Sequence, residues 1–191
     1  MAKVAVIYYS ATGNVQALAQ AVAEGAAEAG AEVRLRRVPE PAVAADGVEV
    51  ATVEDVRWAD GLAFGTPARF GNVSAALKLF LESAGPLWFA GELTNKVATG
   101  FVSANNVHGG HESTLLALHN TLYHWGAIVA APGYTDPSIV SAGGNPYGTS
   151  HAAVQGPPGD EVLAAARYQG RRLAAIAELI AAGARDERIA A

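Results

Sequence analysis

Residues 4–16 read VAVIYYSATGNVQ, and the chemistry of interest begins where the apolar run stops, at Ser10. Ser10, Thr12 and Asn14 place small neutral hydrogen-bonding side chains in a short loop, with Gly13 among them and neither lysine nor arginine. At the start of a helix such a loop offers an anion its hydroxyls, its amide and the unpaired N–H groups of the first turn, and the helix dipole favours negative charge at the same spot. Ser10 to Val15 can therefore hold a phosphate without a fixed cation. A Walker loop would need a lysine followed by Ser or Thr after its second glycine, and a dinucleotide fingerprint would need three spaced glycines; SATGNV has neither. Alone, the loop is either a phosphate cradle or an ordinary turn between strand and helix, because Ser, Thr, Asn and Gly are also favoured caps.

A second candidate lies in FGTPARFGNVSAALK. Thr66 to Gly71 form a turn stiffened by Pro67, whose successive amides can face the edge of a flat heterocycle. Arg69 and Phe70 have plainer readings, a solvated cation and a core aromatic. His108, His111 and Glu112 are close in sequence, but His119 and His124 do not share a helix face and no tetrahedral ligand set emerges, so no metal site is expected. The chain has no cysteine, which excludes disulfides, thiolate nucleophiles and cysteine-held zinc or iron–sulfur clusters. Redox chemistry would have to come from a bound cofactor.

These loops need a scaffold, and the hydrophobic pattern supplies one. Strand-length apolar runs at Lys3 to Tyr9, Ala31 to Val38, Gly61 to Gly65, Lys96 to Val102 and Gly126 to Pro132 alternate with segments of helical period. That alternation predicts an α/β fold, a doubly wound five-stranded parallel sheet with helices on both faces. Val15, Leu18, Ala19, Val22 and Ala26 line one stripe of the first helix, which Gly30 stops. Further helices follow from Val73, Leu77, Phe80 and Leu81, capped by Asn72 or Ser74, from Leu115, Leu118, Leu122 and Trp125, and from Val162 to Ile180 behind the acids Asp160 and Glu161. In an open parallel sheet, ligands sit beyond the carboxyl ends of the strands where strand order reverses, which puts the first and third loops side by side. Pro39 to Val50 reads as a surface connection, and Gly133 to Gly159 as a long loop with a functional or interface role. The expected organisation is a single domain over 1–183 and a polar tail over 184–191.

Beyond these local readings, MAKVAVIYYS, GTPARFGN, GPLW at Gly85 to Trp88, NPYG at Asn145 to Gly148 and ARYQG at Ala166 to Gly170 occur in one order along nearly the whole chain. Together they resemble the WrbA family of flavodoxin-like NAD(P)H:quinone oxidoreductases. The resemblance implies a flavodoxin-like strand order 2-1-3-4-5, FMN as cofactor, NADH or NADPH as donor, a quinone as acceptor and a homotetramer. Carried over by position, Ser10, Ala11, Thr12, Gly13, Asn14 and Val15 would hold the phosphate. Ala68, Arg69 and Phe70, with Ser103, Ala104, Asn105, Asn106, Val107, His108, Gly109 and Gly110, would hold the ring. Trp88 and Tyr134 would line the substrate pocket, and His124 would stand beside the flavin, where histidine is suited to give a proton to the quinone oxygen. Several of these would reach the flavin of a neighbouring subunit. The chain departs from the family at Thr12, where an aromatic associated with nicotinamide is usual, and in SANNVHGGHE, which replaces a run of Ser, Thr and Gly.

The function expected is two-electron, ping-pong reduction of quinones by NAD(P)H; a flavodoxin-type electron carrier without such turnover is the alternative. A net charge of -5 with no basic cluster argues against nucleic acid. The apolar runs fall well short of the roughly 20 residues of a membrane helix, and no signal peptide precedes the first strand, so a cytoplasmic protein is expected.

Overall fold

The computed structural model describes residues 1–39 and 47–185. In chain order its elements are β1 (Lys3–Tyr8), α1 (Asn14–Glu28), β2 (Glu32–Arg37), α2 (Val53–Trp58), β3 (Gly61–Pro67), α3 (Ala75–Ser83) and α4 (Gly85–Phe89). They continue with β4 (Val97–Ala104), α5 (His111–His124), β5 (Ile128–Val129), α6 (Pro137–Ser141), β6 (Ser150–Ala152), a 3-10 turn over Ala153–Gln155 and α7 (Asp160–Arg185). The strands pair in parallel in the order β2-β1-β3-β4-β5, the flavodoxin-like order.

Both faces of the central strands are buried, so their residues alternate between two cores. Val4, Val6, Tyr8 and Phe101 meet Leu18 and Val22 of α1 and Leu173 of α7 on one face. Ala5, Ile7, Leu62 and Phe64 meet Leu77 and Leu81 of α3 and Leu118 and Leu122 of α5 on the other, with Trp125 edge-on to Phe64 at 5.9 Å between ring centres. The stripes expected for α1 and α5 are the buried ones, and Ser74 is the cap of α3, its hydroxyl accepting from the Leu77 amide.

The structure corrects the sequence reading at three places. The fifth strand, expected over Gly126 to Pro132, is only Ile128–Val129, because the edge of β4 beyond Ala98 is taken by a sixth strand: Val102, Ser103 and Ala104 pair with Ser150, His151 and Ala152. The segment Gly133 to Gly159 is therefore not a plain loop; it carries α6, β6 and the 3-10 turn. The short helices α2 and α4 are also additions, α2 being held by a capping box in which Asp55 accepts from the Thr52 amide and hydroxyl. Residues 40–46 and 186–191 lie outside the described residues, so only the ends of the connection over Pro39 to Val50 are described, and of the tail over 184–191 only the first two positions, where α7 runs on.

Candidate functional site

The sheet delivers β1, β3 and β4 side by side, and the loops after them meet at their carboxyl ends. Tyr9 is the last residue tied to the sheet, its amide donating to Gly65 O at 3.0 Å, and the chain leaves at Ser10. Gly13 is the N-cap of α1 in the left-handed region, φ 88°, with no side chain to cap the helix. Its own amide donates to Ser10 Oγ at 3.1 Å, and the first intrahelical bond runs from Ala17 N to Gly13 O at 2.9 Å. The amides of Asn14, Val15 and Gln16 thus have no carbonyl within the helix. The first turn of α1 also contains no acidic residue, whereas α2 opens with Glu54 and Asp55, and α7 with Asp160 and Glu161. The positive end of the α1 dipole is left for an external anion.

The loop after β3 is a tight turn: Arg69 and Asn72 exchange backbone bonds of 2.8 and 3.0 Å, with Phe70 at φ 52° and Gly71 at φ 73° between them. Its base is fixed from below, since Ala68 N donates to Ser103 O at 2.8 Å and Thr66 Oγ1 accepts from the Ser74 amide at 3.0 Å. The loop after β4 presses against it. A Cβ on Gly110 would lie 2.8 Å from Gly71 Cα, and Gly110 has φ 84°, so only glycine permits this approach. Gly109 likewise sits where a Cβ would come within 2.5 Å of Ala104 Cβ.

Between the loops lies a cavity of ≈ 250 Å³. Ser10, Ala11, Thr12, Asn14 and Val15 line it from the first loop, Pro67 and Arg69 from the second, Ser103, Ala104 and Asn105 from the third, and Ala153 from the 3-10 turn after β6. Nine of the residues singled out in the sequence are thereby brought together, with Gly13, Ala68 and Phe70 as their chain neighbours. Phe70 is not a core aromatic: its ring is fully exposed at the rim. Asn106 is exposed, while Val107 and His108 turn to a second cavity of ≈ 260 Å³. Trp88 and His124 do not line the first cavity. They share a separate groove of ≈ 200 Å³, where Trp88 Nε1 donates to His124 O at 2.8 Å. Tyr134 stands exposed beside Gly144. Sequence reasoning missed Ala153, which arrives from a remote segment; Pro67 belongs to the second loop already singled out.

The model of one protein family, NADPH-dependent FMN reductase, matches residues 2–136, which include β1 to β5 and all three loops of the cavity. The chain belongs to this family. Its membership bears out the resemblance read from the motifs. The curated relatives include a Deinococcus radiodurans protein named NAD(P)H dehydrogenase (quinone), 42% identical over 89% of this chain and 92% of that one. A Methylocella silvestris protein of the same name is 43% identical over 93% and 98%. Among solved structures, a WrbA-like flavodoxin from Agrobacterium tumefaciens superposes with a TM-score of 0.72 at 24% identity, covering 94% of this chain and 99% of that one. An archaeal flavodoxin superposes with a TM-score of 0.66 at 17% identity, covering 92% and 99%. These two likenesses concern the fold.

The donor set suits the cofactor in the family's name. Hydroxyls and open amides at the α1 end match a phosphate, and the loops after β3 and β4, which line the same cavity, can meet the edge of a flat ring. Among the described residues lining the cavity, those at the α1 end carry no charge and Arg69 is the one cation.

Proposed function

We propose that the chain is an FMN-dependent NAD(P)H:quinone oxidoreductase, a single domain over 1–183 acting as a cytoplasmic homotetramer. The observation that carries this reading is the cavity itself: an uncapped, acid-free helix start and two apposed loops enclosing one space, in a chain of the FMN reductase family whose relatives bear the quinone dehydrogenase name. Ser10, Thr12, Asn14 and the first amides of α1 hold the phosphate; Ala68 to Phe70 and Ser103 to Gly110 hold the ring. Bound FMN supplies the redox chemistry, taking a hydride from NADH or NADPH and giving two electrons to a quinone.

The protein's own part is position, charge and protons. Arg69 lies at the mouth with no acid within ion-pair reach among the described residues, free to meet an anionic dinucleotide. Donor and quinone use the same opening in turn, which makes the order ping-pong. Trp88 and His124 sit on a groove away from their own chain's cavity, so in the proposed tetramer they serve a neighbour's, Trp88 and Tyr134 packing on the quinone and His124 giving its oxygen a proton. Exposed Phe70, Trp88, Phe89, Tyr123 and Tyr134 support an assembly that covers them. No helix among the described residues is long and apolar enough to cross a membrane.

The test is anaerobic spectroscopy of the purified protein. The account predicts a yellow protein whose flavin band bleaches on adding NADH or NADPH and returns on adding benzoquinone, over many cycles. A flavin band that no pyridine nucleotide bleaches would instead indicate an electron carrier.

A further inference from the structure

Two buried histidines stand behind the flavin-facing loop. His111 is the first residue of α5 and 6% exposed; His151 is the middle residue of β6 and 4% exposed. His111 Nε2 lies 3.0 Å from His151 O, and His151 Nε2 lies 2.8 Å from Gly156 O. A carbonyl only accepts, so both Nε2 atoms carry the proton and donate, and in the neutral rings Nδ1 is a bare lone pair. The first bond ties β6 to α5; the second closes the 3-10 turn. That turn puts Ala153 in the wall of the first cavity, and its Val154 amide donates to Asn105 O at 2.8 Å. The strip from Ala104 to His108 and from His151 to Gln155 is therefore a partition, with the first cavity on one side and the ≈ 260 Å³ cavity of His108, His111 and His151 on the other.

We propose that His111 and His151 are positioning residues, a neutral-imidazole clamp that holds Asn105 and Ala153 against bound FMN and lets the loop go when the His151 ring is protonated. The proposal rests on the assignment of the first cavity to FMN. His151 Nδ1 is buried with no hydrogen-bond partner, so a proton placed there finds no acceptor. Burial pushes this imidazole below its ordinary range; the Gly156 carbonyl works against that shift, and the nearby His111 adds to it. Of the ionisable groups lining the second cavity, His108 and Glu112 are exposed, and neither the segment 142–145 nor Val162 of α7 brings one. With the clamp open the His151 ring meets water, so acid favours the open form, starting below the ordinary imidazole value and growing up to about tenfold per pH unit.

The holoprotein is diluted at about pH 7.5 and about pH 5.5, one unit either side of the ordinary imidazole value, and freed FMN is read by its fluorescence, for the wild type, His151→Asn and His111→Gln. The wild type should lose about tenfold more affinity across that interval than His151→Asn, in which a neutral amide replaces the ring, whereas His111→Gln, which alters the tie between β6 and α5, should hold FMN more weakly at both pH values with the wild type's pH slope. Protonation of the FMN phosphate is common to all three and cancels in the comparison. Equal pH slopes for the wild type and His151→Asn overturn the clamp, whereas failure of every protein to retain FMN at the higher pH overturns the flavin assignment instead. If the variants do not fold, hydrogen exchange of the wild type decides: protection of the Val154 amide, corrected for intrinsic rate, should fall with acid, and unchanged protection overturns the proposal.

Discussion

Thr12 and Asn14 stand where an anion would meet the first amides of α1, so bulky apolar side chains there would fill the cavity and remove two donors together. The double variant Thr12→Leu/Asn14→Leu should be colourless after purification, with a far-ultraviolet circular dichroism spectrum like the wild type's, because both positions lie outside the two cores. His119 gives a prediction of another kind. It is buried beneath β4, its Nε2 has no hydrogen-bond partner, and burial pushes its pKa below the ordinary imidazole range. The folded state therefore keeps it neutral while the unfolded chain takes a proton below about pH 6.5; stability is complete above that value and declines as pH falls toward the lowered folded value. Urea midpoints measured between about pH 7.5 and about pH 5.5 should drop for the wild type and drop less for His119→Leu. Residue types singled out the candidate cradle in the sequence, where a loop of Ser, Thr, Gly and Asn before a helix reads as a phosphate cradle or an ordinary turn. The clamp was not legible: the two rings bond backbone carbonyls, one of a residue remote in sequence and one of nearby Gly156, and a backbone carbonyl leaves no mark on residue type.

At the scale of elements, α1 and α7 touch through their backbones. A Cβ on Gly25 would fall 1.9 Å from Arg167 O, and one on Gly170 would fall 2.0 Å from Val22 O. Gly170→Ala must push the helices apart, so it should destabilise the fold by about 3 kcal/mol in urea titration; a loss below about 0.5 kcal/mol would contradict the close approach. Gly110→Ala should act locally instead, parting the two ring-holding loops and weakening FMN retention with little change in the unfolding midpoint. Strands and amphipathic helices were legible because each follows its own hydrophobic period. β6 was not, because SHA has no alternation and becomes a strand only through the free edge of β4 beyond Ala98. That tertiary pairing also cut β5 short.

For the whole molecule, the separation between the flavin cavity and the Trp88–His124 groove is the informative fact. If a neighbour completes the site, quinone reduction should depend on assembly. Trp88→Arg should lower the mass found by sedimentation equilibrium and cut quinone turnover, while each subunit still retains FMN, since Trp88 does not line its own chain's cavity. Full turnover by a monomer would remove the proposed role of the second chain. The central claim, however, is the neutral phosphate cradle at the end of β1, and it is tested most directly by comparing FMN with riboflavin, which lacks the phosphate, in calorimetric titrations of the flavin-depleted protein. Two charge-assisted hydrogen bonds at about 2 kcal/mol each predict that FMN binds about a thousandfold more tightly. Riboflavin binding as tightly as FMN would contradict the account.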